Sequence, residues 1–267
     1  MNSARPRRLE VCGLSATYAA DSRHAEVVAL RDISLELFAG EFVSLVGPSG
    51  CGKTTLLKVL AGLVPASTGE VRLDGAQTAL LGRVGYMPQN DQLMPWRTTL
   101  DNLTLGLELS GTRREAARAR ARRELELFGL AGFERHWPRA LSGGMRQRAA
   151  LLRTFLAGRD VLLLDEPFGA LDALTREAMR EWLLSVWEAD RKTILLVTHD
   201  VEEALFLSDR VHVMSGRPGR ITTTLEVPLA RPRALALTGE PEFAALKEQL
   251  LAPLREEARQ RLMVAAP

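Results

Sequence analysis

The chain has 267 residues, of which 46% are hydrophobic, 25% charged and 5% aromatic, with a formal net charge of +2. That balance fits a globular protein of one large domain or two closely joined ones, long enough to bury a core without staples. It excludes an overall basic nucleic-acid footprint and a stacking platform for single strands, and apolar runs reach at most five residues where a membrane span needs about 20. Lysines are few: only Lys53, Lys58, Lys192 and Lys247 among 35 Lys plus Arg. The two cysteines, Cys12 and Cys51, make no disulfide framework and suit a reducing compartment. The first eight residues are basic with no apolar stretch behind them, so no secretory signal is expected in this sequence.

In chain order, residues 9–18 read as a strand, 27–30 as another, and 33–37 alternate apolar and polar at period two. Ala39-Gly40 is a turn. Residues 42–46 form a short apolar run into Gly47, and 54–63 are helical until Gly62 and Pro65 stop them. Residues 71–73 before Asp74-Gly75 read as a hairpin strand. From about 91 to 158 the character is helical. Thr112 and Glu115 stand at capping-box spacing before an Arg- and Ala-rich helix running towards Phe128. Its arginines (Arg113, Arg114, Arg118, Arg120, Arg122, Arg123) interleave with Glu115, Glu124 and Glu126, the pattern of a solvated face rather than an RNA surface.

Beyond Gly158, the continuous aliphatic runs 161–164 and 193–197 predict strands buried on both faces, as in a parallel sheet covered by helices. A helix over 174–188 separates them, and a helix over 201–208 leads into a third strand, 210–214. Residues 216–232 are rich in Pro and Arg, and 242–262 form a last helix interrupted by Pro253. No repeat of 20–50 residues is present. The expected architecture is α/β, with a small N-terminal β layer and an inserted helical subdomain.

Two motifs carry chemistry. Gly47-Pro48-Ser49-Gly50-Cys51-Gly52-Lys53-Thr54 fits G-x-x-x-x-G-K-[ST] in full, between a predicted strand and a predicted helix. Glycines let backbone N–H groups turn onto a phosphate, and the helix start adds its dipole. Lys53 would neutralise the β- and γ-phosphates and the Thr54 hydroxyl would hold Mg²⁺. The run 161–164 ends in Asp165 and Glu166. Asp165 would reach Mg²⁺ through water, and Glu166 would polarise the attacking water.

Kinases, GTPases and motor-type ATPases share those two motifs. The stretch Leu141-Ser142-Gly143-Gly144-Met145-Arg-Gln147 narrows the class, because a second anion-binding helix start implies two copies arranged head to tail, each closing on the other's nucleotide. At this point the sequence resembles an ATP-binding-cassette ATPase subunit over nearly all of its length to about residue 215. The resemblance implies a P-loop NTPase (RecA-like) α/β core with a mostly parallel sheet, an N-terminal antiparallel β subdomain and an inserted α-helical subdomain. Its expected bounds are 8–240 for the ATPase domain, with 8–88 and 159–240 as β layer and core, 89–158 as the helical signature subdomain, and 241–267 as a helical tail.

The same resemblance implies that Tyr18 stacks on adenine and that Thr55 joins the nucleotide cradle. Gln89, in Tyr86-Met-Pro-Gln89, would join the lobes and sense Mg²⁺ and water. Residues 141–147 would form the signature that meets the partner's nucleotide, and Asp172 the loop that crosses the dimer. His199 would contact the γ-phosphate. Bland roles stand beside these: strand-end packing for Tyr18, a loop glutamine for Gln89, a helix cap for Asp172.

Gln92-Leu-Met-Pro-Trp96, Thr99-Leu-Asp-Asn-Leu103 and Met214-Ser-Gly-Arg-Pro-Gly-Arg-Ile221 are similar to importers of nitrate, sulfonates and taurine. There, residues 91–107 would line a groove for a permease helix, with Trp96 as apolar anchor or as ordinary subdomain core. The segment 150–156 departs from the family's small residues, which touches packing more than chemistry. The expected cofactors are ATP and Mg²⁺. The expected partners are a second copy, membrane permease subunits on the cytoplasmic face and, indirectly, an external solute-binding protein. A non-transport cassette ATPase acting on nucleic acid or ribosomes is the alternative. It usually carries paired cassettes or long heptad arms, and this sequence has neither. A small-molecule P-loop kinase would not need the signature. The tail from 218 onward receives no assigned role.

Overall fold

The computed structural model describes residues 5–19 and 26–264, and its strands fall into two sheets. The first is antiparallel. It contains β1 (Arg7–Tyr18) and β2 (Val27–Phe38), and the sequence then enters the second sheet at β3 (Phe42–Val46) before helix α1 (Lys53–Leu60). Strands β4 (Thr68–Leu73) and β5 (Ala76–Gln77) return to the first sheet, whose order is β2-β1-β4-β5. After β6 (Gly85–Met87) come helices α2 (Thr99–Leu109), α3 (Arg114–Leu125) and α4 (Gly143–Leu156). The remaining elements are β7 (Val161–Asp165), α5 (Ala173–Asp190), β8 (Thr193–Val197), α6 (Val201–Leu207), β9 (Arg210–Met214), β10 (Ile221–Glu226) and α7 (Pro241–Val264). The second sheet has the order β10-β9-β3-β8-β7-β6 and is parallel except for β10.

The aliphatic runs are buried on both faces, as their composition predicts. Along β7, Val161 and Leu163 join the core under the antiparallel sheet, while Leu162 and Leu164 join the core under α4 and α5. β8 divides likewise, with Leu195 and Val197 on one side and Ile194 and Leu196 on the other. A strand gripped from two sides is held rigidly along its length, and its C-terminal tip inherits that rigidity. Among the described residues no helix is long and apolar enough to cross a membrane.

Five expectations change. Residues 27–30 and 33–37 are one strand, because Asp32 takes a left-handed conformation (φ 53°) as a bulge and donates its N–H to Ser15 Oγ at 3.1 Å. The polar pair Arg31-Asp32 breaks the alternation without ending the strand. α1 stops at Leu60, earlier than expected, because Gly62 turns the chain at φ 73°. The capping box does not form: the Thr112 N–H closes the end of α2 on the Leu107 carbonyl, and α3 starts after Arg113 without a side-chain cap. The Pro- and Arg-rich segment contains β10, an edge strand that is half threonine, with too little apolar pattern to betray itself. α7 continues through Pro253, whose ring removes one N–H from the ladder without breaking the helix.

Candidate nucleotide site

The loop from Gly47 to Gly52 springs from the tip of β3 and opens α1. Gly50 (φ 75°) and Gly52 (φ 110°) hold conformations that side-chain-bearing residues resist. A Cβ on Gly52 would stand 2.7 Å from Leu30 Cδ2 and 2.8 Å from the Ala29 carbonyl. Lys53 is buried and donates from Nζ to the carbonyls of Gly47 (2.7 Å) and Pro48 (3.1 Å), so its charge stays within the loop. α1 has no side-chain N-cap, which leaves its first amides for an anion. Pro48, Ser49, Gly50, Thr54 and Thr55 lie on the accessible rim and Cys51 is fully buried. Tyr18, 43% exposed at the end of β1, reaches the same rim, with its hydroxyl 3.2 Å from Thr55 Oγ1.

The carboxylates stand at the tip of β7. Asp165 is buried and neither of its oxygens has a hydrogen-bond partner. Burial pushes its carboxyl up; the nearby Thr54 hydroxyl opposes this, the Glu166 charge adds to it, and Lys53 and Lys58 pull it back. Tyr86 on β6 is pushed up to about 12, chiefly by burial and also by the Asp165 charge. Glu166 sits at φ 48°, an uncommon conformation for a side-chain-bearing residue, and is pinned there by its N–H to the Val197 carbonyl at 2.8 Å. Gln89 Nε2 donates to Glu166 Oε2 at 3.1 Å, and His199 Nδ1 stands 3.5 Å from Glu166 Oε1. Three residues far apart in sequence therefore meet around one carboxylate.

Ser142 caps α4, accepting from the Met145 N–H at 3.2 Å, and with Gly143 lies exposed at the helix start. Gly144 and Met145 are half-buried, and a Cβ on Gly144 would stand 3.2 Å from Leu171 Cδ2. Leu141 and Gln147 depart from the expected partner-facing role, because both are buried in their own chain. Gln147 donates to the Glu166 carbonyl at 2.9 Å and accepts from the Ala170 N–H at 2.8 Å. It ties α4 to the segment following Glu166. Asp172 is exposed and caps α5, accepting from the Thr175 N–H (3.0 Å) and hydroxyl (2.7 Å), which hold its carboxyl below the usual range. Trp96 is 70% exposed, so it is not subdomain core.

Sequence reasoning missed the support behind His199. Asp200 caps α6 through the N–H groups of Glu202 and Glu203, donates its own N–H to Thr198 Oγ1 at 3.0 Å, and accepts from Arg180 of α5. Glu203, almost fully buried beneath, is pushed up to about 7 by burial, against the pull of Arg180. An Asp preceding a helix was the available signal.

The donor set suits Mg²⁺. One buried carboxylate with two orphaned oxygens, the Thr54 hydroxyl and the Gln89 amide would complement a cation that keeps waters and takes substrate phosphate oxygens. No group of three His, Cys, Asp or Glu that could form an all-protein cage exists among the described residues.

Comparison with known proteins gives concordant results. Residues 30–169 match the profile of a family described as ABC transporter. An ABC transporter ATP-binding protein of Methanocaldococcus jannaschii is 44% identical over 237 residues, 88% of each chain. A protein of Burkholderia pseudomallei called taurine import ATP-binding protein TauB is 43% identical over 257 residues, covering 92% of this chain and 99% of its own. A solved structure described as a dimeric bacterial ABC transporter cassette superposes with a TM-score of 0.75 at 30% identity, over 83% of this chain and all of its own. The second, a post-hydrolysis state of that cassette bound to ADP and Pi, matches equally.

Proposed function

We propose that this chain, which belongs to the ABC transporter family and is an ATP-hydrolysing import subunit, serves a permease for taurine or a similar small sulfonate or anion. The observation that carries the solute class is the 43% identity to a taurine import subunit over 99% of that protein. Lys53, the loop amides and Thr55 hold the triphosphate, and Tyr18 borders the base. Thr54, Asp165 and Gln89 would hold Mg²⁺, which when bound would supply positive charge beside the phosphate oxygens. Glu166, steered by Gln89 and His199, orients water and accepts its proton as it attacks the γ-phosphate. Ser142 and the amides of Gly143 and Gly144 cover the nucleotide of a second copy, and Asp172 lies at the crossing. Closure is favoured only while the γ-phosphate bridges both surfaces, so hydrolysis releases it and the bound permease moves. Trp96, exposed beside α2, anchors that permease at the cytoplasmic membrane face.

The test uses Glu166→Gln protein and light scattering behind a sizing column. MgATP should convert monomer to dimer while turnover falls by at least about 100-fold. Hydrolysis at the wild-type rate would overturn the role of Glu166. For the solute, a strain lacking this chain should lose growth on taurine as sole sulfur source and keep it on sulfate; growth on taurine unaffected would remove that solute.

A further inference from the structure

The turn between β9 and β10 packs against the phosphate loop. Its Gly219 donates to the Ala29 carbonyl at 2.9 Å and accepts from the Arg31 N–H at 3.0 Å, which joins the turn to β2. A Cβ on Gly219 would fall 2.1 Å from the Cys51 carbonyl, so the two loops are in backbone contact. Ser215 fixes the shape of the turn, donating its N–H to the Arg220 carbonyl (2.9 Å) and accepting the Arg220 N–H on Oγ (3.0 Å). From this base Arg217 donates Nε to the Gly50 carbonyl at 3.2 Å, at the glycine-rich apex. On the other side, the Gly216 N–H donates to Glu257 Oε2 of α7 at 2.8 Å. α7 is itself anchored, with Phe243, Leu246 and Leu250 buried in the core and Lys247 paired to Glu202.

We propose that this turn braces the phosphate loop and that α7, through Glu257, sets how firmly it does so; Arg217 and Glu257 are positioning residues for ATP binding. The loop carries two left-handed glycines, so an unbraced loop has much backbone entropy to lose when it closes on a triphosphate. In a trans peptide the C=O and N–H point opposite ways. Holding the Gly50 carbonyl on Arg217 therefore fixes the direction of the Cys51 N–H, which meets the Pro48 carbonyl at 3.3 Å. An apex held in that orientation binds with less ordering cost. The tail, which the sequence leaves without a role, thereby acquires one. The inference rests on the loop being the ATP site.

Calorimetric titration of the full chain with MgATP, beside steady-state turnover and thermal melting, tests it. Arg217→Ala should raise Kd about fivefold or more and Glu257→Ala about threefold, with kcat at saturation falling less than about twofold. Glu257→Gln keeps the acceptor oxygen and should bind like wild type. The two alanine changes combined should cost less than the product of their separate effects, because they act in series. An unchanged Kd in Arg217→Ala overturns the brace, and an unchanged Kd in Glu257→Ala overturns control by α7. Equal loss of binding and kcat overturns a positioning role. If the alanine variants melt below the assay temperature, Arg217→Met decides: it keeps much of the stem and has no donor, so wild-type affinity there overturns the proposal. Wild-type protein that binds no ATP would sink the nucleotide site itself instead.

Discussion

At the scale of single residues, Gln147 is where pattern and geometry part. Motif position assigns it to a surface meeting another molecule, yet both ends of its amide are spent inside the chain, on Glu166 and Ala170. Gln147→Leu should cost about 1 kcal/mol of stability, because it leaves the Ala170 N–H unpaired and the Glu166 carbonyl with the Gly169 N–H as its remaining donor. It should also cut turnover at least about tenfold while the Kd for MgATP moves less than about twofold, since no cradle atom is touched. Turnover unchanged beside normal binding would refute this. His212 supplies a pH dependence. Burial, helped by Arg210, holds its imidazole down to about 4, against an ordinary 6.5. The unfolded chain binds the extra proton first, so stability present at pH 7 is lost as pH falls from about 6.5 towards 4, by up to about 3 kcal/mol. Glu203 works the other way, since a carboxyl raised to about 7 gains stability as pH falls from 7 towards 4.5. Denaturant midpoints at pH 7 and pH 5 should drop less in His212→Gln than in wild type; equal drops would exclude His212. The phosphate loop and the carboxylate pair were legible because their chemistry demands fixed spacing. Arg180, Asp200 and Glu203 were not, because side chains from α5 and α6 meet only after the helices pack.

At the scale of elements, the strands buried on both faces announced themselves through continuous aliphatic runs, while β10 and the passage through Pro253 did not. Edge strands and helix continuity depend on neighbours that local composition does not encode. One such neighbour is Arg233, whose Nη1 donates to the carbonyls of Leu205, Phe206 and Ser208 at 2.9, 3.0 and 2.9 Å. It closes the end of α6, whose last carbonyls have no helical partner, and burial lowers the guanidinium to about 10, still charged at neutral pH. Arg233→Met keeps much of the volume and loses the donors. It should destabilise the protein by about 3 kcal/mol, read from denaturant unfolding. A change below about 1 kcal/mol would mean water replaces the side chain at no cost.

At the scale of the whole molecule, several of the many arginines do structural work. Arg231 stacks 4.1 Å over Trp187 and pairs with Asp209, Arg210 pairs with Glu41, and Arg118 of the Arg-rich α3 pairs with Asp101. ATPase turnover should therefore be indifferent to added RNA or DNA, and stimulation would favour the non-transport alternative. The proposed function gives the chain two unlike half-sites, the loop before α1 and the Ser142 surface at the start of α4. In a head-to-tail pair, each nucleotide draws one half from each copy. Ser142→Arg mixed with Lys53→Ala should then regain one intact composite site, which neither variant pair has alone, and no recovery of ATP-dependent pairing would contradict that geometry. The half-site arrangement has a genetic corollary. If a cell makes intact and defective copies together, fully competent pairs fall as the square of the intact share. A damaged allele should therefore behave as partially dominant, suppressing uptake beyond its own dose, whereas an enzyme complete within one chain would lose activity only in proportion.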